Sequence, residues 1–205
     1  MRQTTITSFF NNQKVPTKKI VIKQNIIVEI NKVKVIADDI TKLKVDAIVN
    51  AAKKSLLGGG GVDGAIHRAA GLELRKECRT LNGCKTGEAK ITKSYNIETV
   101  KAIIHTVGPI VYDCVTEENR EKLYDCYKNS LITAVDNRLR SIAFPSISTG
   151  IYGYPKYDAA IIATQAVKDF LDDEKQSKKI DEVIFVVFGE EDEEIYKELI
   201  PNVFS

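Results

Sequence analysis

The chain has no excess of either charge, no closely spaced cysteine pair and no apolar run approaching the thickness of a bilayer, and each absence closes off a class of function. Thirty basic residues against 28 acidic ones leave a net charge of +2. No overall field draws in nucleic acid, so any polyanion has to be met by a local site and direct sequence-specific nucleic-acid binding is not expected. Four cysteines, Cys78, Cys84, Cys114 and Cys126, form no CxxC pair, and the chain holds only two histidines, His67 and His105. Nothing here has the spacing of a metal site, and reduced thiols are the expectation for an intracellular chain. The N-terminus lacks a basic-then-apolar signal region, and no stretch reaches the roughly 20 apolar residues that span a bilayer. A soluble, intracellular protein without a membrane is therefore expected.

What is present fits one domain. With 205 residues, 43% of them hydrophobic, the chain is long enough for a sizeable core but leaves little room for a second domain. Residues 1–19 are polar and end in "KVPTKK", which reads as a flexible tail; residues 20–205 read as the folded domain. Short β-branched runs follow one another: "IVIK", "IIVEI", "VKVIA", "AIVNAA", "AKITKSY", "AIIHTV", "SIAFPS" and "VIFVVFG". Between the later ones lie stretches with apolar residues at spacings of three and four: "DGAIHRAAGLELRKECRTLN", "ENREKLYDCYKNSLITAVDNR", "YDAAIIATQAVKDFLDDEK" and "EEDEEIYKELI". Strands alternating with helices predict an α/β/α sandwich around a mixed, largely parallel sheet. No internal repeat is visible.

In such a sheet, ligands bind beyond the carboxyl ends of the strands, and two loops in that position carry a signal. The first, "SLLGGGG" before "VDGAIHRAAG", places four glycines between a strand and a helix that is expected to begin near Val62 or Asp63. Glycines at a helix N-terminus let backbone N–H groups approach an anion in the favourable field of the helix dipole; a turn of no special purpose is the plainer alternative. The second, "SISTGIYGYP", has hydroxyls and glycines after a buried-looking strand and before a helix opened by Pro155. No GK[ST] follows either loop, which argues against a P-loop. Two facing loops fit a diphosphate clamped between them.

The segments "VDAIVNAAKKSLLGGGGVDGAIHRAAG", "CKTGEAKITKSYNI", "IIHTVGP" and "FPSISTGIYGYP" together resemble the macrodomain family, in particular its MacroD-type branch of ADP-ribose-binding mono-ADP-ribosylhydrolases, over about residues 35–200. By that resemblance Asp39 accepts a hydrogen bond from the adenine amino group beside Ile40, and Phe188 is an aromatic packed near the adenine; a core strand residue is the other reading of Phe188. Gly59, Gly60, Gly61 and Val62 match the loop along the distal ribose and diphosphate. Ser148, Thr149, Gly150, Ile151 and Tyr152 match the loop whose N–H groups hold the diphosphate, with Gly153 and Tyr154 completing its turn. Asn50 matches an asparagine facing the distal ribose.

Asp63 and His67 lie four apart, on one face of one helix. The resemblance implies that Asp63 activates or positions a water attacking the distal ribose, with His67 in support, and that no metal or cofactor takes part. A helix-capping role for Asp63 and a satisfied, partly buried His67 are the structural alternatives; His105, inside a strand, reads as structural. Two positions depart from the family. Lys53 replaces its second asparagine, exchanging an amide for a cation with no acceptor; either it points to solvent and leaves a weaker enzyme, or it reaches a phosphate or an acidic acceptor. Asp38 replaces a glycine, which alters the adenine pocket if that position needs a glycine-only backbone.

Three functions are consistent with these residues: hydrolysis of mono-ADP-ribose from an acidic protein side chain, with O-acetyl-ADP-ribose deacetylation at the same site; non-catalytic reading of ADP-ribose; and ADP-ribose 1″-phosphate hydrolysis. The tail adds "QTTITSFF", which resembles the PIP box that binds the PCNA sliding clamp. Ile6, Phe9 and Phe10 would form its apolar plug and Gln3 its polar contact, which implies a nuclear or nucleocytoplasmic chain. Packing of these residues back onto the domain is the alternative. The family resemblance implies a monomer.

Overall fold

The computed structural model describes residues 26–205; the tail with Gln3, Ile6, Phe9 and Phe10, and the expected first strand "IVIK", lie outside the described residues. Seven strands form one sheet: β1 (Ile26–Ile30), β2 (Val33–Ala37), β3 (Ala47–Ala51), β4 (Ala89–Lys93), β5 (Ala102–Thr106), β6 (Ser141–Pro145) and β7 (Glu182–Val187). Their order is β1-β2-β7-β6-β3-β5-β4. The five inner strands run parallel, and β1 and β4 close the edges antiparallel.

Alternation along each inner strand divides the core into two layers, as a period of two requires. Val49, Ile104, Phe144 and Phe185 face α3 (Glu117–Asp136), α4 (Lys156–Asp172) and α6 (Glu190–Phe204). Ile48, Ile103, Ala143 and Ile184 face α1 (Gly61–Ala70) and α2 (Leu72–Thr80). A short α5 (Glu174–Ser177) follows α4. On the first face Phe144 and Phe185 have at most 1% exposure and stack obliquely with Tyr127 and Tyr196; each such ring buried contributes roughly 2–3 kcal/mol. The expected three-layer α/β/α sandwich is the observed one.

One expected helix is two. The pattern "DGAIHRAAGLELRKECRTLN" keeps its apolar spacing throughout, yet the chain turns at Gly71, whose φ of 85° lies in the left-handed region and ends α1. A helical φ there is not what the packing selects: a Cβ on Gly71 would stand 2.6 Å from Asn96 Nδ2. Among the described residues no helix is long and apolar enough to cross a membrane.

Candidate active site

The segments that leave the carboxyl ends of β2, β3, β5, β6 and β7 surround one cavity of about 1230 Å³. Its floor is the parallel sheet and its two long walls are the glycine-rich loops singled out above. Asp38, Asp39, Ile40, Gly59–Val62, Asp63, Ser148–Tyr152 and Phe188 all line it. Asn50 and His67 do not, and stand behind Asp63 instead.

The first loop answers what four glycines are for. Gly58 and Gly61 have φ of 80° and 56°, conformations costly for other residues. Helix α1 begins at Gly61, a residue or two ahead of the expected start, and its cap, Gly60, has no side chain to bond. Asp63 lies in the first turn of α1, and the bond its carboxylate accepts comes from Asn50 and not from a helix N–H. It is 4% exposed, its Oδ1 accepts from Asn50 Nδ2 at 2.8 Å, and a Cβ on Gly59 would lie 3.0 Å from Oδ2. Loop and helix touch through backbone: a Cβ on Gly64 would be 2.5 Å from the Gly59 carbonyl oxygen. Any side chain there pushes the first loop off the helix.

The second loop bends through Ser148, a non-glycine residue with φ of 67°, a conformation that costs on the order of 1–2 kcal/mol and persists where the surroundings enforce it. Its turn is closed by Gly153 N–H to the Gly150 carbonyl at 2.9 Å and Tyr154 N–H to the Ser148 carbonyl at 3.0 Å. Ser148 Oγ is buried with no partner among the described residues, and a Cβ on Gly108 would lie 2.0 Å from it. Gly108 in "HTVGP" thus opens the space that the Ser148 hydroxyl occupies. The two loops meet over the cavity, where a Cβ on Gly60 would come within 3.9 Å of Ile151 Cδ1.

His67 follows Asp63 by one turn, with Nε2 3.4 Å from Oδ1 but off hydrogen-bond geometry. Burial holds its imidazole below the ordinary value of 6.5 against the pull of Asp63, with Arg75 and Lys53 adding to the depression. It is a neutral ring against the carboxylate and not half of an ion pair. Burial and then the Asp63 charge raise Tyr152 above the ordinary phenol value, so it faces the cavity as a hydrogen-bond donor.

At the opposite end, Asp39 caps the 3-10 turn Ile40–Lys42: Oδ1 accepts from the Thr41 hydroxyl at 2.7 Å and the Thr41 N–H at 3.0 Å. The Thr41 hydroxyl bond foremost holds its carboxyl below the ordinary range. Asp38 keeps a negative φ, so the aspartate in place of glycine leaves the backbone unstrained. Phe188 follows the last residue of β7 and is 91% exposed; it is a cavity wall and not a core strand residue.

Two cations line the cavity, and they differ. Lys156 Nζ is 2.8 Å from Glu191 Oε2 and 3.5 Å from Asp192 Oδ1. Lys53 makes no ion pair among the described residues, and its Cδ would lie 4.0 Å from a Cβ on Gly59. Lys156, Asp192 and Gly108 line the site without having been singled out as ligand contacts. The only signals for them were local: a residue after the helix-opening Pro155, an acidic first turn after Gly189, and a Gly-Pro pair after a strand.

A three-layer α/β/α sandwich with a cavity beyond the carboxyl ends of its strands, walled by two glycine-rich loops and holding a buried carboxylate, has the architecture of a ligand-binding α/β domain. The model of the Macro domain matches residues 49–163, and the chain belongs to that family. It is 53% identical over 174 residues to human ADP-ribose glycohydrolase MACROD2, covering 85% of this chain and 40% of that protein. It is 51% identical over 168 residues to a macro domain-containing protein of Methanosarcina mazei, covering 81% and 87%. The chain thus spans well under half the length of MACROD2 but most of the shorter archaeal relative. Among solved structures, the Oceanobacillus iheyensis macrodomain with ADP superposes with a TM-score of 0.77 at 43% identity, covering 85% of this chain and 94% of that one. The Trypanosoma brucei macrodomain in complex with ADP-ribose gives 0.75 at 42% identity, covering 82% and 69%.

Proposed function

We propose that this chain binds ADP-ribose and hydrolyses the bond between the distal ribose of mono-ADP-ribose and an acidic protein side chain. The observation that carries this reading is the buried Asp63 carboxylate, held by Asn50 where the two glycine-rich loops converge. Some relatives of the same family are named ADP-ribose glycohydrolases, and another, the Trypanosoma brucei macrodomain, has been crystallised in complex with ADP-ribose. The adenine lies at the Asp39, Ile40 and Phe188 end, the diphosphate between Gly59–Val62 and Ser148–Tyr152, and the distal ribose against Asp63. Water, oriented by Asp63, bonds through its oxygen to the ribose carbon; the ribose–ester bond breaks, the acceptor leaves as a carboxylate, and the water proton passes to Asp63. Asn50 Oδ1, buried and without a partner among the described residues, accepts from that water or from a ribose hydroxyl. O-acetyl-ADP-ribose is cleaved by the same arrangement.

Release of ADP-ribose from a glutamate-linked, automodified protein tests this. Asp63→Ala should lose at least a hundredfold in turnover while calorimetry still registers ADP-ribose binding; equal turnover in both proteins overturns the assignment. Lys53, beside Gly59 and in no ion pair among the described residues, supports a second reading, a non-catalytic reader of ADP-ribose. Sound binding with no turnover in the wild type selects it, and Lys53→Asn should then bring hydrolysis up to a measurable rate.

The chain acts as a monomer on mono-ADP-ribosylated proteins and is brought by Gln3, Ile6, Phe9 and Phe10 to the PCNA sliding clamp, placing it in the nucleus at replication or repair sites. The support for this is the motif "QTTITSFF" alone. A pull-down in which Phe9→Ala plus Phe10→Ala leaves clamp binding unchanged removes it.

A further inference from the structure

Asn50 and His105 are direct partners across the parallel pair β3 and β5. Both side chains lie in rows that are otherwise apolar beneath α1 and α2, between Ile48 and Ala52 along β3 and just past its end, and between Ile103 and Val107 along β5 and just past its end. Both have 0% exposure. Two polar groups in such a place are costly unless their hydrogen bonds are made, and a leucine at position 105 would serve packing alone.

The bonds form a directed chain. A carboxylate only accepts, so Asp63 Oδ1 requires the amide nitrogen of Asn50 to face it, and one N–H goes there at 2.8 Å. The other is directed at His105 Nδ1, 3.1 Å away. An accepting Nδ1 puts the imidazole proton on Nε2, where Thr92 Oγ1 lies at 2.9 Å and in turn donates to the Lys93 carbonyl at 3.2 Å. A protonated imidazole would turn a donor onto the Asn50 amide and break the chain; burial foremost, and then the neighbouring His67, hold His105 down to about 3 and prevent this.

We propose that His105, anchored by Thr92, is a positioning residue for the reaction: it fixes the Asn50 amide so that one N–H holds Asp63 Oδ1 while Oδ2 faces the first loop. The inference rests on the hydrolase reading of Asp63. His105 touches no substrate and acts only through Asn50.

The test compares wild type, His105→Leu, His105→Asn and Thr92→Val. Nitrogen-resolved NMR of the wild type should give His105 as the Nε2–H tautomer and the Asn50 side-chain amide protected from exchange. His105→Leu should lose about tenfold in kcat on the glutamate-linked substrate with KM and ADP-ribose affinity unchanged, and His105→Asn, whose Oδ1 can accept from Asn50, should recover most of it. Thr92→Val, which keeps the volume and removes the acceptor, should lose a few-fold in kcat and serves where His105→Leu does not fold. A folded His105→Leu, or Thr92→Val in its stead, with wild-type kcat overturns the proposal. If the wild type itself proves inactive, the hydrolase reading fails separately, and the positioning chain is judged on NMR: an Nδ1–H tautomer or a freely exchanging Asn50 amide overturns it.

Discussion

At one end of the cavity the polar groups are buried and bonded to one another, and at the other they stand in the open. Asn50 and His105 have no exposure and Asp63 has 4%, whereas Phe188 is 91% exposed and Asp39 makes only local bonds to Thr41 and Lys42. The difference fits what the proposed function asks of each end. A reacting carboxylate needs one orientation, which requires neighbours that cannot rearrange. A nucleobase needs a surface to lie on and one or two acceptors, which an exposed rim supplies. Changes at the buried end should therefore alter turnover or folding, and changes at the open end should alter affinity by small increments.

The largest effect that would break this contrast, after the loss of turnover in Asp63→Ala, is on folding at Gly64. Gly64→Ala puts a Cβ against the Gly59 carbonyl oxygen, which neither the helix nor the loop can relieve cheaply. A loss of about 2–3 kcal/mol in chemical denaturation is expected, with ADP-ribose affinity falling alongside. A stable variant with native affinity would show that the loop is not set by the helix.

The pH dependence of stability separates the two ends next. His105 is held far below 6.5 in the folded state, so below that pH the unfolded chain takes up a proton that the native one refuses. Its contribution is present above 6.5 and is lost as pH falls toward 3. Wild-type stability should therefore fall more steeply between pH 6 and 4 than that of His105→Asn, by up to about 1.4 kcal/mol per pH unit. Parallel slopes would mean that His105 takes up its proton in the fold.

The smallest effect sharpens the open end. Phe188→Ala should weaken ADP-ribose binding by about three- to tenfold, the worth of one stacked ring, with no change in stability or in kcat. A fall in kcat as large as that in affinity would tie the adenine wall to the chemistry and erase the contrast.

Much of this was legible in residue order. Gly58–Gly61 followed by Asp63 and His67 four apart announce an anion loop leading into a helix with a carboxylate and an imidazole on one face, and both lie there. Helix spacing did not announce the break at Gly71, because the apolar pattern runs through it and only the contact with Asn96 marks the turn. The placement of Asn50 behind Asp63, and the partnership of Asn50 with His105, 55 residues away, were equally hidden. Nothing local to either residue names the other.

By itself the sequence determined most of the strands and helices among the described residues, though not the break at Gly71, and which loops leave the carboxyl ends of the strands, because apolar period and glycine placement are properties of neighbours along the chain. Only the tertiary structure decided that Asp63 is bonded to Asn50, that His67 and His105 are neutral, that Gly108 makes room for Ser148, and that Lys156 is ion-paired while Lys53 is in no ion pair among the described residues. Those outcomes depend on strand register and on which helix covers which face, since hydrogen bonding and desolvation are set by distances in space between residues far apart in the chain.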